Sequence, residues 1–386
     1  MLAYLDNSST TRQGDEVTAK MLRHMREDFG NPSSLHGMGI AAENAVKEAR
    51  RAVSRALGFR DEEVTFTSGG TEAANLALFG AASSYRRRGN RILTSAVEHP
   101  AVLESCKKLE SMGFEVICIG VDDKCRLDMD ELSACMSDDV ILLSVMHVNN
   151  EVGTFMPIRE IGGLKGEGAL LHTDAVQSFC KAPGCGAGAD IVTVSAHKIH
   201  GPKGCGAVAA RRGTRLTPMV FGGGQEGGLR PGTENVAAIA GFGKAAEIAS
   251  SGMADAAAKV CALRQRLLEG IKSEIADIRV NSVEEAGLRG ESGLCSPYIL
   301  NVSFLGVRGE ALVHGLESEG VYASTGAACS SRRKRGNHVL AAMGLSDGEA
   351  EGALRFSLCP GNTMEEIDYA LCKLKEQVRR FRKFTS

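Results

Sequence analysis

The chain has 386 residues, of which 24% are charged and 43% hydrophobic, with a formal net charge of −2. That length suits two domains with cores of their own, and the near-neutral balance gives no general attraction to nucleic acid or an anionic membrane. The N-terminus, "MLAYLDNSSTTRQGDEVTAK", lacks the basic and apolar regions of a secretory signal, and the longest apolar run, "VILLSVMHV", is too short to span a bilayer, so a cytoplasmic location is expected.

From about residue 60 to 215, short β-rich runs alternate with helical patterns. "EVTFTS", "RILTSAV", "FEVICIGV", "VILLSVMHV", "ALLHTDAV" and "DIVTVSAH" read as near-continuous apolar strands, the pattern of a sheet covered on both faces. "TEAANLALFGAASSYRR" and "AVLESCKKLESMG" read as helices between them. The alternation predicts a large α/β domain over 15–250, with a mostly parallel sheet flanked by helices. Beyond it, "AAAKVCALRQRLLEGIKSEI" predicts a long helix and "YILNVSFLG" a strand. The chain closes on a helix capped by Thr363 and Glu366, with Ile367, Leu371, Leu374 and Val378 on one face. These elements predict a smaller α+β domain over 251–386, joined by an N-terminal segment, 1–14.

The 12 cysteines are scattered, and no two have the Cys-x-x-Cys spacing of a zinc or iron–sulfur knuckle. Most lie in apolar runs, as Cys118 does in "FEVICIGV", where a reduced cysteine acts as a small hydrophobe. Cys329 is different. It lies in "STGAACSSRRKRGNH", a small, polar stretch followed by Arg332, Arg333, Lys334 and Arg335. Taken alone, a solvated loop with an incidental thiol explains it.

Three other places carry chemistry. Ser68-Gly69-Gly70-Thr71 turns from a strand into a helix, the form of a phosphate cradle but not of a Walker A loop, which needs Gly-Lys-Ser/Thr. Asp174, with Gln177 three residues on, ends a strand, where a carboxylate either faces a cationic ring nitrogen or caps the next helix. Ser195, His197 and Lys198 follow a buried strand directly. A lysine there is expensive to desolvate, and its neutral amine forms Schiff bases. Lys203 competes for that role but lies beyond a Gly-Pro turn. Carboxylate, phosphate cradle and strand-end lysine together suggest pyridoxal phosphate.

With those residues in place, the sequence resembles the cysteine desulfurases of the NifS/IscS group, class V enzymes of the fold-type I pyridoxal-phosphate architecture. "YLDNSSTT", "FGNPSSLH", "FTSGGTEAANLA", "EHPAVLE", "HVNNEVGT", "TDAVQS", "SAHKIHGPKG", "GGGQEGGLRPGTEN", "STGAACSS" and "LRFSL" follow the family's order, from residue 4 to about 375. The resemblance implies that Lys198 binds the cofactor covalently, Asp174 faces its ring nitrogen, Gln177 its phenolic oxygen, and His99 stacks on the ring and moves protons. Gly70, Thr71, Ser195 and His197 would hold the phosphate, and Thr233 the phosphate of a neighbouring subunit in a homodimer. Asn150 would lie beside cofactor and substrate, and Arg355 would take the substrate carboxylate.

Cys329, on a loop of about 323–337, would accept sulfur from L-cysteine as a persulfide, releasing L-alanine. A nearby positive field favours the reactive thiolate, a role open to Arg332–Arg335. The implied acceptors are an iron–sulfur scaffold protein or a tRNA-thiolation partner. No intrinsic metal is expected, beyond transient ligation of an iron–sulfur cluster by Cys329. The rivals are a selenocysteine lyase or aminotransferase of the same fold, and a non-catalytic thiol carrier.

Five other histidines read more plainly: His24 and His314 as ordinary helix residues, His36 as ordering the approach to the first long helix, His200 and His338 as neighbours of matched motifs. The sequence departs from the family at the basic run after Cys329 and at Cys359, which stands where glycine or serine is usual and reads as packing.

Overall fold

The computed structural model describes residues 1–287, 294–326 and 337–383. The strands run in chain order as β1 (Ala3–Tyr4), β2 (Val64–Thr67), β3 (Arg91–Ser95), β4 (Glu115–Ile119), β5 (Val140–Ser144) and β6 (Leu170–Asp174). They continue as β7 (Ile191–Ser195), β8 (Gly206–Ala210), β9 (Ile278–Val280), β10 (Ile299–Phe304), β11 (Val321–Tyr322) and β12 (Ala353–Ser357).

Seven of these form one sheet in the order β2-β8-β7-β6-β5-β3-β4. Every pairing in it is parallel except those of β8 with β7 and β2. The inner strands β5, β6 and β7 are buried at all positions, because helices cover both faces. Gly70–Tyr85 and Pro100–Ser111 pack one side, through residues such as Leu78, Ala81, Val102 and Leu109. Gly37–Leu57 and Val236–Ser251 pack the other, through Val46, Val53, Ile239 and Phe242.

Two readings of the strands are corrected. "FEVICIGV" is not covered on both faces: β4 is the sheet's outer strand, so Cys118 is exposed rather than packed as a small hydrophobe. β8, built from "GAVAA", had no sequence signal, because glycine and alanine carry little strand propensity. It fits because Gly206 lies against the turn at Gly69, where a Cβ would come within 2.7 Å of the Gly69 backbone.

The second core lies around β10, paired antiparallel with β12 and β9, under the helices Met253–Glu274 and Met364–Arg382. The Thr363/Glu366 capping box forms, and Ile367, Leu371, Leu374 and Val378 are buried. The handover between the cores falls at Gly252, between two helices that abut there. The N-terminal segment crosses both: β1 pairs with β11, Asp6 bridges Ser357, and Thr11 bonds the carbonyl of His197. His36 caps the helix Gly37–Leu57, its Nδ1 accepting from Gly39. His24 is less ordinary than expected: it is buried, with neither ring nitrogen partnered. No described helix is long and apolar enough to cross a membrane.

Candidate active site

In an open parallel sheet, side chains for chemistry gather beyond the carboxyl ends of the strands. β7 ends at Ser195, and a short turn over Ala196–Lys198 presents Lys198. Its Nζ donates to the backbone carbonyls of Ser8 and Ser9, the latter at 2.8 Å. Burial, reinforced by Lys181 and Arg355, pulls the Lys198 pKa down to about 7. Much of it is therefore a free amine at neutral pH, the nucleophilic form.

Asp174 closes β6, buried, and accepts from the Val176 N–H at 2.9 Å. Burial raises its carboxyl pKa, against the pull of His99 and Lys198. Gln177 donates to the Ser8 carbonyl at 3.0 Å, and its Oε1 is buried without a partner. His99 caps the helix Pro100–Ser111, with Nδ1 accepting from Ala101 at 3.1 Å. Accepting there leaves the neutral ring's proton on Nε2. Burial lowers the His99 pKa, so the neutral form is favoured.

A cavity of about 440 Å³ opens where the helix Gly70–Tyr85 begins, lined by Ser68, Gly70, Thr71, Ser195, His197 and Lys203, among others. The Gly69 cap provides no side-chain bond to the first-turn N–H groups. Ser195 Oγ is buried with no partner. At Gly70 a Cβ would come within 3.0 Å of Val176 Cγ2. Burial takes His197 to about 4, leaving it a neutral donor or acceptor that shares a 3.2 Å bond with Thr10 Oγ1.

Arg355, on β12, is 3% exposed and ringed by acceptors. One terminal nitrogen donates to the Asn150 carbonyl at 2.9 Å and reaches Glu151 at 3.3 Å; the other reaches Asp6 at 3.1 Å and Ser9 Oγ at 2.8 Å. Asn150 donates to Glu151 at 2.8 Å. Ser324 exchanges two backbone bonds with Arg355, and Gly326 lies over Glu151. Further along the chain, His338 Nε2 donates to the Glu98 carbonyl at 3.0 Å, next to His99. Cys329 and the run Arg332–Arg335 lie outside the described residues.

Thus Lys198, Asp174, Gln177, His99, Ser195, His197, Gly70 and Thr71 come from separate segments to one edge of the sheet. Thr233 does not join them; it is exposed and does not line the cavity. Sequence reasoning overlooked Ser8, Ser9 and Thr11, which lie along Lys198 and His197, and two acids, Glu98 and Glu151. Glu98 is fully buried, accepting from Ser95 Oγ at 2.5 Å and Met146 N at 2.8 Å, and burial takes it to about 8. The available signal was position: both acids sit beside residues already singled out, His99 and Asn150. Among the described residues no cluster of His, Cys, Asp and Glu could hold a metal ion.

Residues 3–370 match the aminotransferase class-V family. The chain is 40% identical over 385 residues to cysteine desulfurase IscS of Clostridium botulinum, spanning 99% of this chain and 96% of that protein. The chain belongs to the cysteine desulfurase family. A cysteine desulfurase IscS from Methanosarcina thermophila is 41% identical over 98% of this chain and 92% of its own length. Among solved structures, a NifS-like protein superposes with a TM-score of 0.89 at 38% identity, covering 97% of this chain and 99% of that one. The structure of SspA in complex with cysteine gives 0.79 at 32% identity, over 94% and 100%.

Class-V enzymes of this kind depend on pyridoxal phosphate. The residues present suit it: an unpartnered buried hydroxyl at Ser195, open N–H groups at a helix start, a buried carboxylate at Asp174 and an amine on Lys198.

Proposed function

We propose that this cysteine desulfurase holds pyridoxal phosphate on Lys198 and converts L-cysteine to L-alanine, with Cys329 as the sulfur-accepting nucleophile. The observation that carries the reading is the convergence of Lys198, Asp174 and the Ser195–Gly70 cradle at one sheet edge. When bound, the cofactor supplies an electron sink that loosens the bonds around the substrate's α-carbon. Gly70, Thr71, Ser195 and His197 hold the phosphate. Asp174 supplies the negative charge that keeps the ring nitrogen protonated, while the buried carboxyl itself gains a cation. Gln177 Nε2, once released from the Ser8 carbonyl, would donate to the phenolic oxygen. His99, with its proton on Nε2, packs beside the ring and moves a proton.

Arg355 takes the substrate carboxylate in competition with Asp6 and Glu151, and Asn150 stays beside it. The Cys329 thiolate forms a bond to the substrate's sulfur as the sulfur–carbon bond breaks. The bonding pair stays on carbon and is protonated, giving alanine and a Cys329 persulfide. The outer sulfur then passes to an acceptor, for which an iron–sulfur scaffold protein is the leading class and a tRNA-thiolation partner the alternative. Exposed Met219, Val220 and Phe221, just ahead of the glycine-rich stretch with Thr233, supply an apolar surface suited to a homodimer in which Thr233 reaches the neighbour's phosphate.

The reading is tested by loading the protein with pyridoxal phosphate, trapping with borohydride and mapping the modified peptide. Label on Lys198 is expected; label on Lys203 or Lys181 would overturn the assignment.

A further inference from the structure

A second cavity, of about 370 Å³, lies behind Lys198, away from the phosphate cradle. It sits where the two cores meet, between the start of the helix Asp15–Arg26, the end of Val236–Ser251 and the turn after β12. Its walls are apolar, formed by Val17, Ile199, Ala245, Ile248, Tyr298 and Leu358. Cavities of about 300–1,000 Å³ with a few placed polar groups are the usual form of a small-molecule site.

The placed polar group is Lys181. It is 8% exposed and lines this cavity. Among the described residues its ammonium makes no hydrogen bond or ion pair, and its one contact of note is the Tyr298 ring, 5.5 Å from Nζ. Lys198 and Arg355, the other buried basic side chains nearby, are each held by carbonyls or carboxylates. The groups facing Lys181 are thiols, Cys359 and Cys180, both kept protonated by burial. The acids on the same cavity, Asp15 and Glu16, stand on its rim with side chains 90% and 70% exposed, and pair with Arg12 and Lys244. Burial lowers Lys181 to about 8, so it is still mostly charged at neutral pH and lacks a counter-ion. A buried cation without an anion is costly, and a matching carboxylate relieves it.

We propose that this cavity is a second ligand site, one that takes a small carboxylate with an apolar body, its carboxylate on Lys181 and its body along Val17, Ile248 and Leu358. Lys198 lines the cavity as well, so the site abuts the proposed desulfurase centre while sharing no lining residue with the phosphate cradle.

The test is calorimetric titration of the pyridoxal-phosphate-loaded protein with sodium octanoate and, separately, with octan-1-ol, which has the same body without the charge. Wild type should bind one octanoate per chain, more tightly than the alcohol. Lys181→Met should weaken octanoate roughly tenfold or more while leaving octanol unchanged, as loss of a charge-assisted bond requires. Ala249→Phe, which fills the cavity from its helix wall and leaves Lys181 in place, should abolish both. Absence of saturable octanoate binding by wild type, equal affinity for acid and alcohol, or binding untouched by Ala249→Phe would overturn the proposal.

Discussion

Gly326 is where a single methyl group should report on the whole arrangement around Arg355. Its φ is +92°, a conformation that costs an L-residue about 1–2 kcal/mol. A Cβ there would lie 2.0 Å from Glu151 Oε2 and 3.0 Å from Asn337 Nδ2. Glu151 is 4% exposed and cannot swing into solvent; moving it disturbs its 3.3 Å contact with Arg355 and its 2.8 Å bond from Asn150. A charge-assisted bond of that kind contributes about 1.5–3 kcal/mol. Gly326→Ala should therefore lose about 3–5 kcal/mol in the folded state. For a chain of this size that lowers the melting midpoint on the order of 4–6 °C. Because the displaced acid sits on Arg355, the KM for L-cysteine should change as well as stability. Differential scanning fluorimetry and steady-state alanine release read the two effects. A Gly326→Ala protein with wild-type midpoint and wild-type KM would refute the placement of Gly326 against Glu151.

Two further outcomes follow from orphaned or displaced groups. Ser195→Ala removes a buried hydroxyl that has no protein partner, so the cofactor-free protein should keep its urea midpoint. Its dissociation constant for pyridoxal phosphate should rise about tenfold, the loss of one hydrogen bond to a charged group, and an unchanged constant would take Ser195 out of the cradle. Glu98 has its pKa raised to about 8 from an unfolded value near 4.3. Its neutral form is therefore the one the fold accepts: the stability it lends is complete below pH ~4.3 and is lost as the pH climbs through about 8. Glu98→Gln cannot ionise, so urea midpoints should show wild type falling behind it by up to about 1.4 kcal/mol per pH unit between pH 5 and 8. Parallel curves would mean that Glu98 is not held protonated.

Much of this molecule was legible because its signals are local. Continuous apolar runs betray β5, β6 and β7, and a lysine or aspartate at the end of such a run stands out as an expensive choice. The closing helix carries its own start signal in Thr363 and Glu366. What escaped is long-range. The partners of Lys198 are backbone carbonyls of Ser8 and Ser9, which any residue type would supply, 189 or more positions away. The environment of Arg355 draws on Asp6, brought by the pairing of the N-terminal segment with β12, and on Asn150 and Glu151, brought by the segment after β5 where it bonds to the second core. β8 escaped because its glycine and alanine are chosen for close approach to the Gly69 turn rather than for strand propensity. The exposure of Cys118 depends on strand order, and an apolar run reads the same whether its strand is central or outermost.

The most direct test of the central claim is alanine release from L-cysteine by the cofactor-loaded protein with dithiothreitol present, wild type beside Cys329→Ser. The account predicts alanine and sulfide in equal amounts from wild type, and neither from a Cys329→Ser protein that still carries its cofactor chromophore. Full activity of Cys329→Ser would contradict it, and place the accepting thiol elsewhere.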